Sequence, residues 1–192
     1  MAAPRRGNAV LHRTATLLGC LAGLLAGSAT ASPRLIAPIS APAAPSLATH
    51  EGAAWINTPP LNWQALRGRV VLLSFRTTGC ANTDVGTRTL AARFAHSDLT
   101  LLDIRAAEGL PAATAEPSCN SPTRLDVGQK LRRAFGVRQW PSYFLIDREG
   151  LVRALYTGEL ALTGPTAHEV EEAIAVLLSE PAANLADPTP VP

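Results

Sequence analysis

Cys80 is the residue best placed to do chemistry. It follows the apolar run Val70-Val71-Leu72-Leu73-Ser74-Phe75 after a short polar stretch, Arg76-Thr77-Thr78-Gly79, and it opens a segment with helical periodicity. A thiol at a helix amino terminus meets free backbone N–H groups and the positive end of the helix dipole. Both favour the thiolate, which is the attacking form. Asp84, close by, works against that ionisation. Thr83, three residues on, brings a hydroxyl that can donate a hydrogen bond to a thiolate but cannot resolve a mixed disulfide. Cys80 then has three reactive fates: a lasting mixed disulfide with a client or a small thiol, oxidation to a sulfenic acid, or resolution by Cys119. The competing reading is a small, partly buried cysteine in a domain used for binding.

The Cys119 route has a topological motive. Its loop, from Ala106 to Thr123, leaves the carboxyl end of a strand expected to lie parallel to 70–75. Parallel neighbours present their carboxyl ends on one edge, so the loop starts on the edge that carries Cys80. The alternative is a loop cysteine remote from Cys80, and spacing alone does not decide a pairing. No metal or other cofactor is expected. His50, His96 and His168 are scattered, and no Cys/His pair has ligand spacing. Trp55, Trp63 and Trp140 read as core or rim packing. Phosphate loops, serine-hydrolase elbows and paired catalytic acids are not visible.

The elements that must position these residues alternate along the chain. Residues 55–60 are an extended lead-in, because Pro59 and Pro60 push their predecessors out of the helical region. Leu61 to Leu66 makes a helical turn stopped at Gly68. Val70 to Phe75 is a buried strand, continuous and uncharged. Asn82 to about His96 is a helix with Leu90, Ala91 and Phe94 on one face, and Leu99 to Ile104 is a second strand. Leu125 to Phe135 is expected to be a helix ending at Gly136. Ser142 to Ile146 and Leu151 to Tyr156 are strands joined by a turn at Asp147-Arg148-Glu149-Gly150. Ala167 to Leu178 is a closing helix with the stripe Val170, Ile174, Leu177 and Leu178. The order predicts an α/β domain with a central mixed sheet flanked by helices, a parallel βαβ half followed by an antiparallel ββα half.

Around this domain, placed at residues 53–180, the chain changes character. Residues 1–31 read as a secretory signal peptide. Arg5, Arg6 and Arg13 precede a short apolar stretch, and Ala29-Thr30-Ala31 offers a cleavage site. The apolar stretch falls short of the roughly 20 residues of a spanning helix. The expected location is therefore extracytoplasmic, periplasmic or secreted, after cleavage near Ala31. A lipoprotein signal ending at Cys20 and an uncleaved anchor are the alternatives, and only these would bring membrane contact. Residues 32–52, rich in Pro and Ala, read as a flexible linker, and 181–192 as a disordered tail. The chain has 17 basic and 15 acidic residues. With the three arginines of residues 1–31 set aside, 14 basic residues face 15 acidic ones, with no basic stripe apparent. The basic pI therefore gives no reason to expect nucleic acid as a partner.

Three stretches resemble a known group. They are Trp55-Ile56-Asn57-Thr58-Pro59-Pro60-Leu61 with Leu66-Arg67-Gly68-Arg69-Val70-Val71-Leu72, the segment opening on Cys80, and Ala134-Phe135-Gly136-Val137-Arg138-Gln139-Trp140-Pro141-Ser142-Tyr143-Phe144-Leu145-Ile146-Asp147-Arg148-Glu149-Gly150. Together they are similar to the thioredoxin-like fold of extracytoplasmic TlpA-like proteins, above all the thioredoxin-like domains of cytochrome c biogenesis and DipZ-type proteins. The resemblance covers about residues 53–180 and implies a thiol-disulfide oxidoreductase or thiol-handling protein. Cys80 falls on the nucleophile, Thr83 stands where the second motif cysteine belongs, and Pro141 matches the cis-proline opposite the active cysteine. Trp140 then offers its backbone to an extended substrate, and Thr78 and Gly79 complete the substrate-binding set. The implied partners are protein or small-molecule thiols and disulfides. Asp84-Val85-Gly86 depart from a regular first helical turn in that group. Two further readings are a redox-inactive binding domain for a peptide or assembly partner, and a one-cysteine thiol peroxidase. Thr77-x-x-Cys80 is similar to a peroxiredoxin core, but Leu73 replaces the proline of that motif.

Overall fold

The computed structural model describes residues 33–47, 55–77, 85–107, 121–161 and 164–181. Among these residues six strands form one sheet: β1 (Trp55–Ile56), β2 (Val70–Arg76), β3 (Leu99–Ala106), β4 (Thr123–Asp126), β5 (Ser142–Ile146) and β6 (Val152–Thr157). Their order is β1-β4-β3-β2-β5-β6. Strands β2, β3 and β4 run parallel, while β5 pairs antiparallel with both β2 and β6. The helices are α1 (Val85–Arg93), α2 (Lys130–Ala134) and α3 (Pro165–Ser179). This is the expected mixed α/β sheet, with the parallel half first.

The continuous apolar run of β2 is explained by helices on both faces. Val71, Leu73 and Phe75 pack with Leu131 and Phe135 of the α2 region on one side. Val70 and Leu72 pack with Leu90 of α1 and with Val170, Ile174 and Leu177 of α3 on the other. Alternate residues of a strand point to opposite faces, so a central strand covered twice must be apolar throughout. Gly86 has a packing reason. A Cβ there would lie 1.7 Å from the carbonyl oxygen of Leu160, so α1 approaches that backbone only with glycine.

Three expectations are corrected. Residues 125–135 do not form one helix. Thr123 to Asp126 is a strand, parallel to β3 and antiparallel to β1. Gly128 and Gln129 then take left-handed conformations, with φ of 66° and 53°. The Asp126 carboxylate accepts from the backbone N–H groups of Leu131 (2.9 Å) and Arg132 (2.8 Å), which starts α2 at Lys130. Leu125 is a core residue, but from the sheet. The first helix ends at Arg93 rather than His96. Ser97 closes the turn that follows, its hydroxyl donating to the Phe94 carbonyl at 2.8 Å.

The third correction concerns the linker 32–52. Its described part, 33–47, is a strap bound to the domain. Ile36 N–H donates to Arg153 O (2.8 Å), Val152 N–H to Pro42 O (2.8 Å) and Ala44 N–H to Gly150 O (2.9 Å). The Trp63 indole donates to Pro45 O at 2.7 Å, and Leu47 is 1% exposed. Prolines suit this role because a strap needs extended backbone and few donors. Arg153 ties the strap to the domain: it donates to Ile36 O, to Asp147 (3.1 Å) and in bidentate fashion to Glu180 (2.7 and 2.8 Å).

Candidate functional site

The carboxyl end of β2 meets the start of β5 at a cleft of about 140 Å³ lined by Arg76, Thr77, Trp140, Pro141 and Glu159. The Trp140–Pro141 peptide bond is cis. Trp140 is half-buried, and its ring lies 6.5 Å from that of Phe75. Arg132 of α2 stacks over Trp140, its guanidinium carbon 5.6 Å from the ring centroid. Ser142 holds the turn before β5 by donating to Gln139 O at 2.7 Å. Gly158 N–H donates to Pro141 O at 2.9 Å, which places Glu159 beside the cleft.

Beneath the cleft the sheet turns polar. Arg76 is 8% exposed. Its guanidinium donates to the Tyr143 hydroxyl (2.6 Å) and to the Thr87 hydroxyl of α1 (3.3 Å), and it lies 5.4 Å from the Tyr143 ring centroid. One strand further, buried Asp103 accepts from Ser74 and from Ser121 (2.6 Å). The guanidinium is thus held at the floor of the cleft by side chains from two other elements.

Of the residues singled out from the sequence, Trp140 and Pro141 are brought together in this cleft. Thr78, Gly79, Cys80, Thr83 and Cys119 lie outside the described residues, as does Asp84. Sequence reasoning missed Arg76, Tyr143, Glu159 and Arg132. For Arg76 a signal was present: one cation ends an otherwise apolar strand and must find a buried partner. Among the described residues no group of three or more His, Cys, Asp or Glu could hold a metal ion, and no helix is long and apolar enough to cross a membrane.

A parallel βαβ half joined to an antiparallel ββα half, with a cis-proline turn facing the end of the first central strand, is a thioredoxin-like fold. Solved structures agree. The chain is similar to a thioredoxin-like superfamily protein, with a TM-score of 0.57, 23% identity, and coverage of 73% of this chain and 99% of the other. A thiol-disulfide isomerase from Corynebacterium glutamicum gives a TM-score of 0.54 at 18% identity, over 67% of this chain and 92% of that one. A thioredoxin family thiol:disulfide interchange protein from Chlorobium tepidum gives 0.53 at 18%, over 72% and 97%. In sequence, the chain is 30% identical over 119 residues to protein DipZ of Mycobacterium tuberculosis and of Mycobacterium bovis, a match covering 55% of this chain. It spans 17% of the length of those curated relatives. No family model matches.

Proposed function

We propose that the chain is an exported thiol-handling protein of the thioredoxin-like fold, with Cys80 as nucleophile and the Trp140–Pro141 ledge as the place where a client docks. The observation that carries this reading is the cleft itself. Arg76 and Thr77 line it, and Cys80 follows Thr77 by three residues. Three peptide steps span at most about 11 Å, so the thiol is tethered within reach of the cleft. Similarity to a thiol-disulfide isomerase and to a thiol:disulfide interchange protein supports thiols and disulfides as the substrate class.

Thr83 in place of a second thiol supports a single-cysteine mode, in which a mixed disulfide persists until another thiol releases it. The same residue favours a second reading, a binding domain that uses the ledge without redox chemistry. Export rests on the signal-like segment 1–31 and defines the chain's oxidising surroundings.

The experiment is intact mass of the purified protein after alkylation, with and without reductant, together with the pH dependence of Cys80 labelling. The reading expects a reducible adduct on Cys80, or a bond from Cys80 to Cys119, with labelling that stays fast well below pH 8. Free cysteines with Cys80 slow to label even at high pH would leave the binding domain. A Cys80→Ser variant that keeps full client function would do the same.

A further inference from the structure

Along the segment that leads into and past Trp140 the charge is one-sided. From Val127 to Ile146 the chain carries Lys130, Arg132, Arg133 and Arg138 and no acidic residue. Lys130 and Arg133 stand three apart on α2 and share a helix face. Val137 N–H donates to Arg132 O at 3.0 Å, which folds the turn carrying Arg138 back onto the end of α2. Lys130, Arg133 and Arg138 are exposed, and among the described residues no carboxylate forms an ion pair with any of the four. Arg132 is held over Trp140 by its stacking and by a hydrogen bond to the Gln129 side chain. Two acids are near. Asp126 is buried and engaged with the α2 backbone. Glu159 lines the cleft on the β6 side, while the cations come from α2 and the turn before Trp140. Whole-chain charge balance conceals this clustering.

We infer that the cleft's partner is an acidic peptide segment of a client protein, which lies on the Trp140–Pro141 ledge with its carboxylates toward Arg132, Arg133 and Arg138. The inference rests on the proposed reading of the cleft as a docking site for thiol clients and names what that client carries. Charge complementarity is the argument for the occupant. Exposed cations beside a half-buried aromatic ledge give an acidic chain both a contact surface and steering, and they repel a basic one. Arginine suits the role, since its planar fork donates a pair of hydrogen bonds to a carboxylate.

The test uses the full chain and two labelled 12-residue peptides in which serine replaces the client cysteine. One peptide carries four glutamates beside the serine and the other carries four lysines. Binding is followed by fluorescence anisotropy from 20 to 300 mM salt. The glutamate peptide should bind about tenfold or more tighter than the lysine peptide at low salt. The gap should narrow as salt rises, and the exposed-site double variant Arg133→Glu/Arg138→Glu should abolish or reverse it. Equal binding of the two peptides overturns the inference, and so does a preference unchanged in the double variant. Retention on phosphatidylserine vesicles while neither peptide binds assigns the patch to a lipid surface and likewise overturns it. Because the peptides contain no cysteine, this result is independent of the Cys80 labelling that tests the thiol reading.

Discussion

Tyr143 and Tyr156 sit opposite each other on neighbouring strands, yet their hydroxyls have different fates. The Tyr143 hydroxyl accepts from buried Arg76 at 2.6 Å. The Tyr156 hydroxyl is buried without a hydrogen-bond partner among the described residues, and burial, with Glu169's negative charge as the lesser cause, raises its pKa above the ordinary tyrosine value. The same substitution should therefore have opposite effects. Tyr143→Phe removes a hydrogen bond to a charged group and should destabilise the fold by about 1–3 kcal/mol. Tyr156→Phe removes an unsatisfied hydroxyl and should be neutral or slightly stabilising. The pH sign follows from linkage. A tyrosine whose folded pKa is raised contributes its stability below the unfolded pKa and loses it as pH rises through the folded one. Above about pH 10 the parent should thus lose stability more steeply than Tyr156→Phe. Urea unfolding of both variants at pH 7 and pH 10.5 checks the pair, and a destabilised Tyr156→Phe at pH 7 would refute the argument. This contrast was not legible in the sequence, where both residues satisfy the same strand pattern. A hydroxyl's value depends on what arrives from other elements, here Arg76 from β2 and Glu169 from α3.

At the scale of elements, what was legible followed periodicity and turn chemistry. Strands β2, β3, β5 and β6 and helix α3 lie where apolar runs and the 3.6-residue stripe predicted them. Gly150, with φ of 82°, ends the turn that its left-handed conformation predicted. What failed were elements whose reasons are tertiary. Thr123 to Asp126 is a four-residue strand with two charges, too short and too polar to signal itself, and it exists because β3 and β1 offer edges on both sides. Arg124 is held there by stacking over Trp55 and by donating to Leu47 O, with its pKa lowered by burial. A related reason hides the strap 33–47 in the sequence: a proline-rich segment has the same composition whether free or laid across a sheet edge. The strap is testable by contrast. Leu47, 1% exposed, sits in the core, and Leu47→Ala should cost about 2–5 kcal/mol. Ile39, 97% exposed on the same strap, should tolerate alanine within about 0.5 kcal/mol. Equal denaturation midpoints for the two variants would mean that the strap is not part of the cooperative unit.

At the scale of the molecule, the sheet order makes stability uneven in a way amide exchange can read. Strands β2 and β3 are central, paired on both sides and covered on both faces, so their amides should exchange only by global opening. Strand β6 is an edge. Since Gly158 N–H bonds Pro141 O and Tyr156 pairs with Tyr143, the groups of Ala154, Tyr156 and Gly158 face β5, while those of Leu155 and Thr157 face outward. The strap covers this edge only as far as Arg153, whose carbonyl takes the Ile36 N–H. Protection along β6 should therefore alternate, with Ala154 and Tyr156 slow and Leu155 and Thr157 faster by orders of magnitude. Phe75, paired with Ile104 of β3 and Ser142 of β5, belongs to the slow class. Uniform protection from Ala154 to Thr157 would show that something else covers the edge in solution. Uniform fast exchange there would contradict the β5–β6 register on which the position of Glu159 beside Pro141 depends.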